Sequence, residues 1–519
     1  MKKIFTILLI FVFSLIIRLS TLNEMGRTWD EGTYVSWGYN LVNLAKNGDF
    51  SNPYWYANPG FPPVSRYVYG IASYFDVNRY DSKGDPVFNY DLTFTRLVSA
   101  ILTSLTAVMI ILLGWKYFSP LVGALGGMIF AMLPLSVAYG QIATLESFIL
   151  FFFTGTVMYF FNFLSDFSKK NIILTGIFLG LALGVKYTNF LLFPLLILLL
   201  VNWFVHNDKN RDYFKAVKAI LSIFAIALLT FFVIWPMPFF HIREVIEYNY
   251  SLRVATNKYP SVEVFFGRVM HVPVFYFFVQ FLITAPIFAL SVFFIGAKRI
   301  SDLAKNKLPV KKFPFLNRKE NKWILYALIF WFCFPFIQSF YNLRVQGIRY
   351  IIEIYAPFSL ICAIGLDYFS SLITKDTFKK SVILIIFFLY LLIVLIRISP
   401  YFLDYYNFAV GGAEGVNKKH LFQVGWWGQG IKEAGLYVEK NAFKGTKVGL
   451  AVDPIESMPP SKKIISSKYT DKNMYDYVLV SDFFIIRLGF DDSYIKKNYN
   501  LVYSVRADGA SLVYVYKKK

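Results

Sequence analysis

Residues 96–114 read RLVSAILTSLTAVMIILLG, and after a short break residues 120–138 read PLVGALGGMIFAMLPLSVA. Runs of this length and apolarity suit a bilayer, where about 20 residues cross as a helix because every backbone polar group must be satisfied within the segment. Working outward, similar runs lie near 4–20, 145–163, 172–186, 188–205, 216–236, 274–297, 323–341, 350–368 and 380–398. The sequence therefore predicts a membrane all-α chain of about eleven transmembrane helices. The composition agrees: of 519 residues, 56% are hydrophobic, 20% aromatic and 16% charged. That balance excludes a disordered chain. The first run follows Lys2 and Lys3 as a signal peptide would, but no small-x-small cleavage site follows it and Arg18 interrupts its end, so it reads as a retained anchor.

The formal charge of +21 would ordinarily suggest nucleic acid. Its distribution points elsewhere. With a cytoplasmic amino terminus, the inner segments hold the basic clusters Lys169-Lys170, Lys298-Arg299, Lys311-Lys312, Arg318-Lys319 and Lys379-Lys380, and a net +14 of the total. Every internal loop then obeys the positive-inside rule, and the expected partner is anionic membrane lipid with no nucleic acid. An odd number of spans places the carboxyl terminus outside a cell (plasma) membrane. Two outer regions are too long for connectors. Residues 21–94 are rich in Tyr, Trp, Pro and Asp, as expected of a folded loop at headgroup level. Residues 398–519 have a soluble composition, with a helical stretch at 430–441, strand-like runs at 447–452, 477–480 and 501–505, and a hairpin turn at Asp508-Gly509 leading into 512–516. The expected organisation is a transmembrane domain over 1–397 and a small extracytoplasmic α/β domain over 398–519. Cys333 and Cys362 both lie in apolar runs and read as core thiols.

The outer loop opens with Arg27-Thr28-Trp29-Asp30-Glu31-Gly32-Thr33-Tyr34. Thr28 and Glu31 fit a capping box for a helix running toward Lys46, which leaves Asp30 free to face the membrane surface. Asn58-Pro59-Gly60-Phe61-Pro62-Pro63 makes a stiff turn before an aromatic stretch at 67–75 that also follows Arg66. Glu146 stands at the outer end of the fourth run and Lys186 ends the fifth, depths at which ionisable groups are functional candidates or snorkel to the interface. Arg344 and Arg349 flank the turn before the tenth run. An Arg349–Glu353 pair one helical turn apart is the structural alternative to a phosphate clamp. Asn249-Tyr250-Ser251 is a glycosylation sequon on the predicted outer side.

Taken in order, several of these features resemble the polytopic GT-C glycosyltransferases: the Asp30-Glu31 pair, Pro62-Pro63, Glu146, the Gly-x-x-x-Gly-x-x-x-Gly-x-Lys pattern from Gly176 to Lys186, and Arg349-Tyr350 followed by Pro357. The similarity is greatest to the protein O-mannosyltransferase and aminoarabinose-transferase group. Tyr405-Tyr406-Asn407-Phe408, Gly411-Gly412 and Trp427-Gly428-Gln429-Gly430 resemble a junction segment of prokaryotic members, with Trp426 where an Asp often precedes the Trp-Gly. Phe61 replaces a common His or Lys, and Glu146 replaces the usual Asp. The acid that helps hold a divalent metal in the aminoarabinose branch would fall near Gly60. This counts against a bound metal, and no cofactor is otherwise implied.

The resemblance implies a hexosyltransferase of mannosyltransferase type. A polyprenyl-phosphate sugar would be the donor and a protein, lipid or glycan hydroxyl the acceptor, with inversion at the outer face. Asp30 would be the general base, with Glu31 and Glu146 orienting it or a sugar hydroxyl. Lys186, Arg349, Arg344 and Arg66 would hold the phosphate, and Pro62, Pro63 and Tyr350 would support the site. Three other readings stay open: a flippase for lipid-linked oligosaccharide, a glycan polymerase or ligase using diphosphate-linked donors, and a tail that binds carbohydrate or a partner above a simple anchor.

Overall fold

The computed structural model describes residues 2–56, 62–207, 213–258, 262–307, 313–340, 347–471 and 474–519. Among these, seven helices are long and apolar enough to cross a bilayer: Thr93–Tyr117, Leu145–Asp166, Tyr187–His206, Tyr213–Ile234, Lys319–Phe340, Gly347–Ile373 and Thr377–Ile398. An eighth crossing would be the pair Tyr276–Thr284 and Ile287–Ala304, bent by 115°. The predicted single run at 274–297 is thus broken. Pro286 has no N–H for the helical ladder and drives Ala285 into extended backbone, φ −91° and ψ 139°. The remaining three runs form shorter or more charged helices. Lys2–Leu19 carries Lys2, Lys3 and Arg18, Pro120–Met132 stops before Pro134, and Lys169–Leu183 stops at Gly184. The chain is a multi-pass membrane protein, in which seven helices among the described residues, or eight counting the bent pair, have the length and composition of a span by themselves.

Arg18 interrupts its run without reaching water. It is fully buried, and its guanidinium donates to Thr103 Oγ1 at 2.8 Å, Ser14 Oγ at 2.7 Å and Ser136 Oγ at 2.7 Å, tying Lys2–Leu19 to the helices that follow. Tyr213–Ile234 and Thr377–Ile398 are each only 28% buried, leaving apolar faces suited to lipid. For the same reason the expectation of two core thiols fails for Cys333. Cys362 is buried, whereas Cys333 is exposed on Trp323–Cys333, as an apolar side chain can be where the solvent is hydrocarbon.

The described residues within 21–94 form helices and a hairpin of their own. Helices Glu31–Lys46 and Val64–Ser73 cross at Gly38 and Gly70, where a Cβ on either would strike the other's backbone, and a short hairpin pairs Val77–Tyr80 with Pro86–Phe88. A second hairpin, Val262–Phe265 with Arg268–His271, joins the tail: Phe265 bridges Phe422, and Gly267 N–H donates to Leu421 C=O at 3.1 Å. The sequon residues 249–251 lie inside helix Ile242–Lys258.

The tail contains a five-stranded sheet in the order Ile464–Lys468, Thr446–Ala451, Tyr477–Ser481, Ala510–Lys518, Tyr499–Ala507. The first three strands run parallel, and the last two form the antiparallel hairpin expected at Asp508-Gly509. Helix Ile431–Asn441 starts at Gly430, whose φ of 85° an L side chain rarely adopts. Core residues of one sheet face, including Leu450, Val505 and Val513, belong to the same apolar cluster as the membrane helices.

Candidate functional site

Asp30 and Glu31 are neighbours with different fates. Helix Glu31–Lys46 begins one residue after Asp30, which caps it by position but with no side-chain hydrogen bond. The capping box is half present: Glu31 Oε2 accepts from Thr28 N–H at 2.9 Å, but Thr28 Oγ1 also donates to it at 3.1 Å instead of capping the helix. Arg96 donates to both Glu31 oxygens at 2.7 Å, and Ala143 N–H donates to Oε1 at 2.9 Å. Glu31 has no exposed surface. Burial alone would raise its pKa, but the Arg96 charge and these hydrogen bonds outweigh that and hold it below the usual range. Glu31 is thus an ionised pin between the 21–94 segment, helix Thr93–Tyr117 and the turn ahead of Leu145–Asp166.

Asp30 is not free as expected. Its side chain is 25% exposed, and its Oδ2 accepts from Arg349 Nη1 at 2.9 Å. The alternative Arg349–Glu353 pair does not form; Glu353 instead accepts from Gln338 at 3.2 Å. A kinked 3₁₀ turn, Arg349–Ile354, presents Arg349 and Tyr350 ahead of helix Tyr355–Ile373. The Arg349 guanidinium lies 4.5 Å from the Trp427 ring, 5.7 Å from Trp426 and 5.5 Å from Tyr350. Lys186 occupies the extended residue that breaks Lys169–Leu183 from the following turn, and its Nζ lies 4.2 Å from the same Tyr350 ring. Two predicted phosphate cations therefore share one aromatic platform.

Glu146, in the first turn of Leu145–Asp166, is buried, and its Oε2 has no hydrogen-bond partner among the described residues. Arg66 is buried 4.6 Å from the Trp37 ring. Tyr34 marks where these groups converge. Burial and the Asp30 and Glu146 carboxylates push its phenol well above the ordinary range, while Arg349 and Arg66 pull the other way. Pro62 and Pro63 are buried, and Pro63 precedes helix Val64–Ser73, whose Val64 N–H donates to Gly184 C=O at 2.9 Å, close to Lys186. Arg344, Gly60 and Phe61 lie outside the described residues. No three His, Cys, Asp or Glu side chains gather as a metal-ligand set among those described.

Sequence reasoning missed Arg96, the partner of Glu31, and Trp427 as the ring beneath Arg349. Arg96 carried a signal, since it opens an apolar run at the predicted outer face. Trp427 was visible only as part of a motif, with nothing to show which cation it would meet. A groove of about 420 Å³ also escaped notice; it is lined by Thr28, exposed Trp29 and Thr33, neighbours of Asp30 in sequence, and by Asp453 and Glu456 of the tail.

Residues 8–248 match the family model described as dolichyl-phosphate-mannose-protein mannosyltransferase. No curated protein matches by sequence. Among solved structures, ArnT from Cupriavidus metallidurans in the apo state is similar at 12% identity and a TM-score of 0.51, over 98% of this chain and 97% of that one. The archaeal oligosaccharyltransferase AglB from Archaeoglobus fulgidus, solved with an inhibitory peptide and a dolichol-phosphate, is similar at 13% identity and a TM-score of 0.50, over 99% of this chain and 74% of that one. The S. cerevisiae protein O-mannosyltransferase Pmt1-Pmt2 complex bound to the sugar donor aligns at 18% identity and a TM-score of 0.36, over 47% of this chain and only 34% of that one. The chain thus matches the mannosyltransferase family model over residues 8–248 and shares the fold of ArnT and of the archaeal oligosaccharyltransferase.

Proposed function

We propose that the protein transfers a sugar from a polyprenyl-phosphate donor to an acceptor hydroxyl, with inversion, at the outer face of the plasma membrane. The observation that carries this reading is the 2.9 Å contact between Asp30 and Arg349, beside Glu146 and above the Tyr350 ring that also meets Lys186. The matches of the preceding section support the class of donor. A mannose-type hexose is the first sugar to test, and the acceptor is a protein, lipid or glycan.

The donor's phosphate competes with Asp30 for Arg349 and settles between that guanidinium and Lys186, with Arg66 and Arg344 as further cations. Negative charge grows on the leaving phosphate as the glycosidic bond breaks, so cations already in place stabilise the transition state more than the ground state. Drawn off Arg349, Asp30 accepts the proton of the acceptor hydroxyl as that oxygen attacks the anomeric carbon. The acceptor arrives through the groove beside Trp29. Glu31 is a positioning residue that keeps Asp30 at its station, Glu146 orients a sugar hydroxyl, and Pro62 and Pro63 brace the turn above the site.

In this reading all eleven apolar runs lie in the membrane, the amino terminus is cytoplasmic, 1–397 is the transferase domain and 398–519 an extracytoplasmic one. The test is transfer in proteoliposomes supplied with polyprenyl-phosphate mannose, glucose, galactose or arabinose. Asp30→Asn is expected to abolish transfer while leaving donor binding intact. Near-normal transfer by that variant removes Asp30 as base, and movement of labelled lipid-linked sugar across the bilayer without transfer would make the protein a flippase.

A further inference from the structure

Behind Trp426 lies a small cavity of about 30 Å³ whose lining includes Tyr139, Glu263, Tyr276, Ile348, Gln423 and Trp426. It shares a wall with the candidate site. Ile348 directly precedes Arg349, Trp426 lies 5.7 Å from that guanidinium, and Tyr139 stands in the field of Glu146, Arg349 and Asp30. Six chain segments far apart in sequence line it, within 135–139, 263–264, 276–284, 347–348, 403–406 and 422–426.

Its polar content is unusual for so closed a place. Glu263 is 5% exposed and Gln423 8%. Gln423 Nε2 donates to Glu263 Oε2 at 2.5 Å, and Tyr406 holds the Gln423 backbone by donating to its C=O at 2.8 Å. Gln423 Oε1, however, is buried with no hydrogen-bond partner among the described residues. Such an orphan acceptor costs about 1–3 kcal/mol unless something completes it. Burial pushes Glu263 up to about 7, against the pull of Arg487, the Gln423 hydrogen bond and Arg349, so near neutral pH its carboxyl can donate as well as accept. A cavity of this volume admits roughly one water-sized group, far too little for a sugar ring or a phosphate. An acceptor, a carboxyl that can donate, and room for one oxygen together suit a hydroxyl group.

We propose that Glu263 and Gln423 form a specificity pocket that receives one hydroxyl of the donor's sugar while its phosphate is held at Arg349 and Lys186. The proposal rests on the sugar-transfer reading above. The hydroxyl donates to Gln423 Oε1 and accepts from Glu263, and a sugar with no hydroxyl at that position leaves both groups unpaired. Pockets built to hydrogen-bond a hydroxyl discriminate far better than apolar ones for this reason.

The test uses the full chain in proteoliposomes and whichever of polyprenyl-phosphate mannose, glucose, galactose or arabinose the protein turns over. Bare polyprenyl phosphate serves as a competitive inhibitor that lacks the sugar. Gln423→Met and Glu263→Met are each expected to raise the donor KM about 10-fold with the inhibition constant of bare polyprenyl phosphate unchanged, the size of one lost hydrogen bond to a sugar hydroxyl. Should one variant fail to fold, the other gives the same readout. A donor KM that stays put, or that rises in step with the inhibition constant, overturns the pocket while the transfer reading stands. Absence of transfer by the unaltered protein with every donor overturns both.

Discussion

Asp30 and Glu31 are adjacent in sequence, and each pairs with one arginine, yet the two ion pairs belong to different regions with different physics. Glu31 and Arg96 have no exposed surface, and both carboxylate oxygens are saturated by the guanidinium, two backbone N–H groups and a hydroxyl. Asp30 is a quarter exposed, and Arg349 divides its attention between that carboxylate and the Trp427 ring. A saturated buried pair is a structural joint, because any rearrangement strands a charge away from water. A partly exposed pair can exchange partners, which is what the proposed phosphate site would require.

The contrast is open to direct attack. Arg96→Ala leaves the Glu31 charge buried with only neutral donors and is expected to cost about 3–5 kcal/mol, measured as thermal unfolding in lipid nanodiscs. A loss below about 1 kcal/mol would show that the joint is not structural. Asp30→Asn is expected to do the reverse: transfer falls by about 10²–10⁴-fold, while stability changes by about 1 kcal/mol or less, because Asn still accepts from Arg349. If the variant unfolds instead, the two pairs are alike and the comparison fails. Lys186→Ala should raise the donor KM about 10-fold, the loss of one cation from the phosphate site. A donor dependence equal to that of the unaltered protein would detach Lys186 from the phosphate.

The smallest effect concerns pH. Burial pushes Asp404 and Asp482, at the junction and in the tail, up to about 7 from a usual 3.8. Between those values the folded tail binds more protons than the unfolded chain, so its stability falls as pH rises from about 4 to about 7 and stays at the lower level above. Asp482→Asn should therefore raise the melting temperature by several degrees at pH 8 and hardly at all at pH 4. Equal shifts at both pH values would show that the carboxyl keeps its charge in the fold.

Much of this was legible residue by residue. The apolar runs located the helices because lipid leaves a helix no other way to satisfy its backbone. Asp508-Gly509 located its hairpin because only a few residues tolerate two consecutive positive φ values, here 44° and 87°. Pro286 was in plain view, but the run around it was apolar throughout, and hydropathy does not register a lost N–H. The strand Ile464–Lys468 was missed because IISSK carries too few apolar residues to read as buried, and it pairs at the sheet edge through its backbone.

The candidate site was legible as a set of residue types and not as an arrangement. Asp30, Glu31, Lys186 and Arg349 could be picked out because charges beside apolar runs are costly and so call for a reason. Which carboxylate is sealed and which is open depends on Arg96 and Arg349, placed 65 and 319 residues away along the chain. The pairing of Glu263 with Gln423 spans 160 residues. By itself, then, the sequence determined the solvent, the helices and the stock of ionisable groups, since these follow from local composition and spacing. The tertiary structure alone decided which charges meet and how dry each meeting is, because the strength of an ion pair or hydrogen bond depends on the water that packing removes from it.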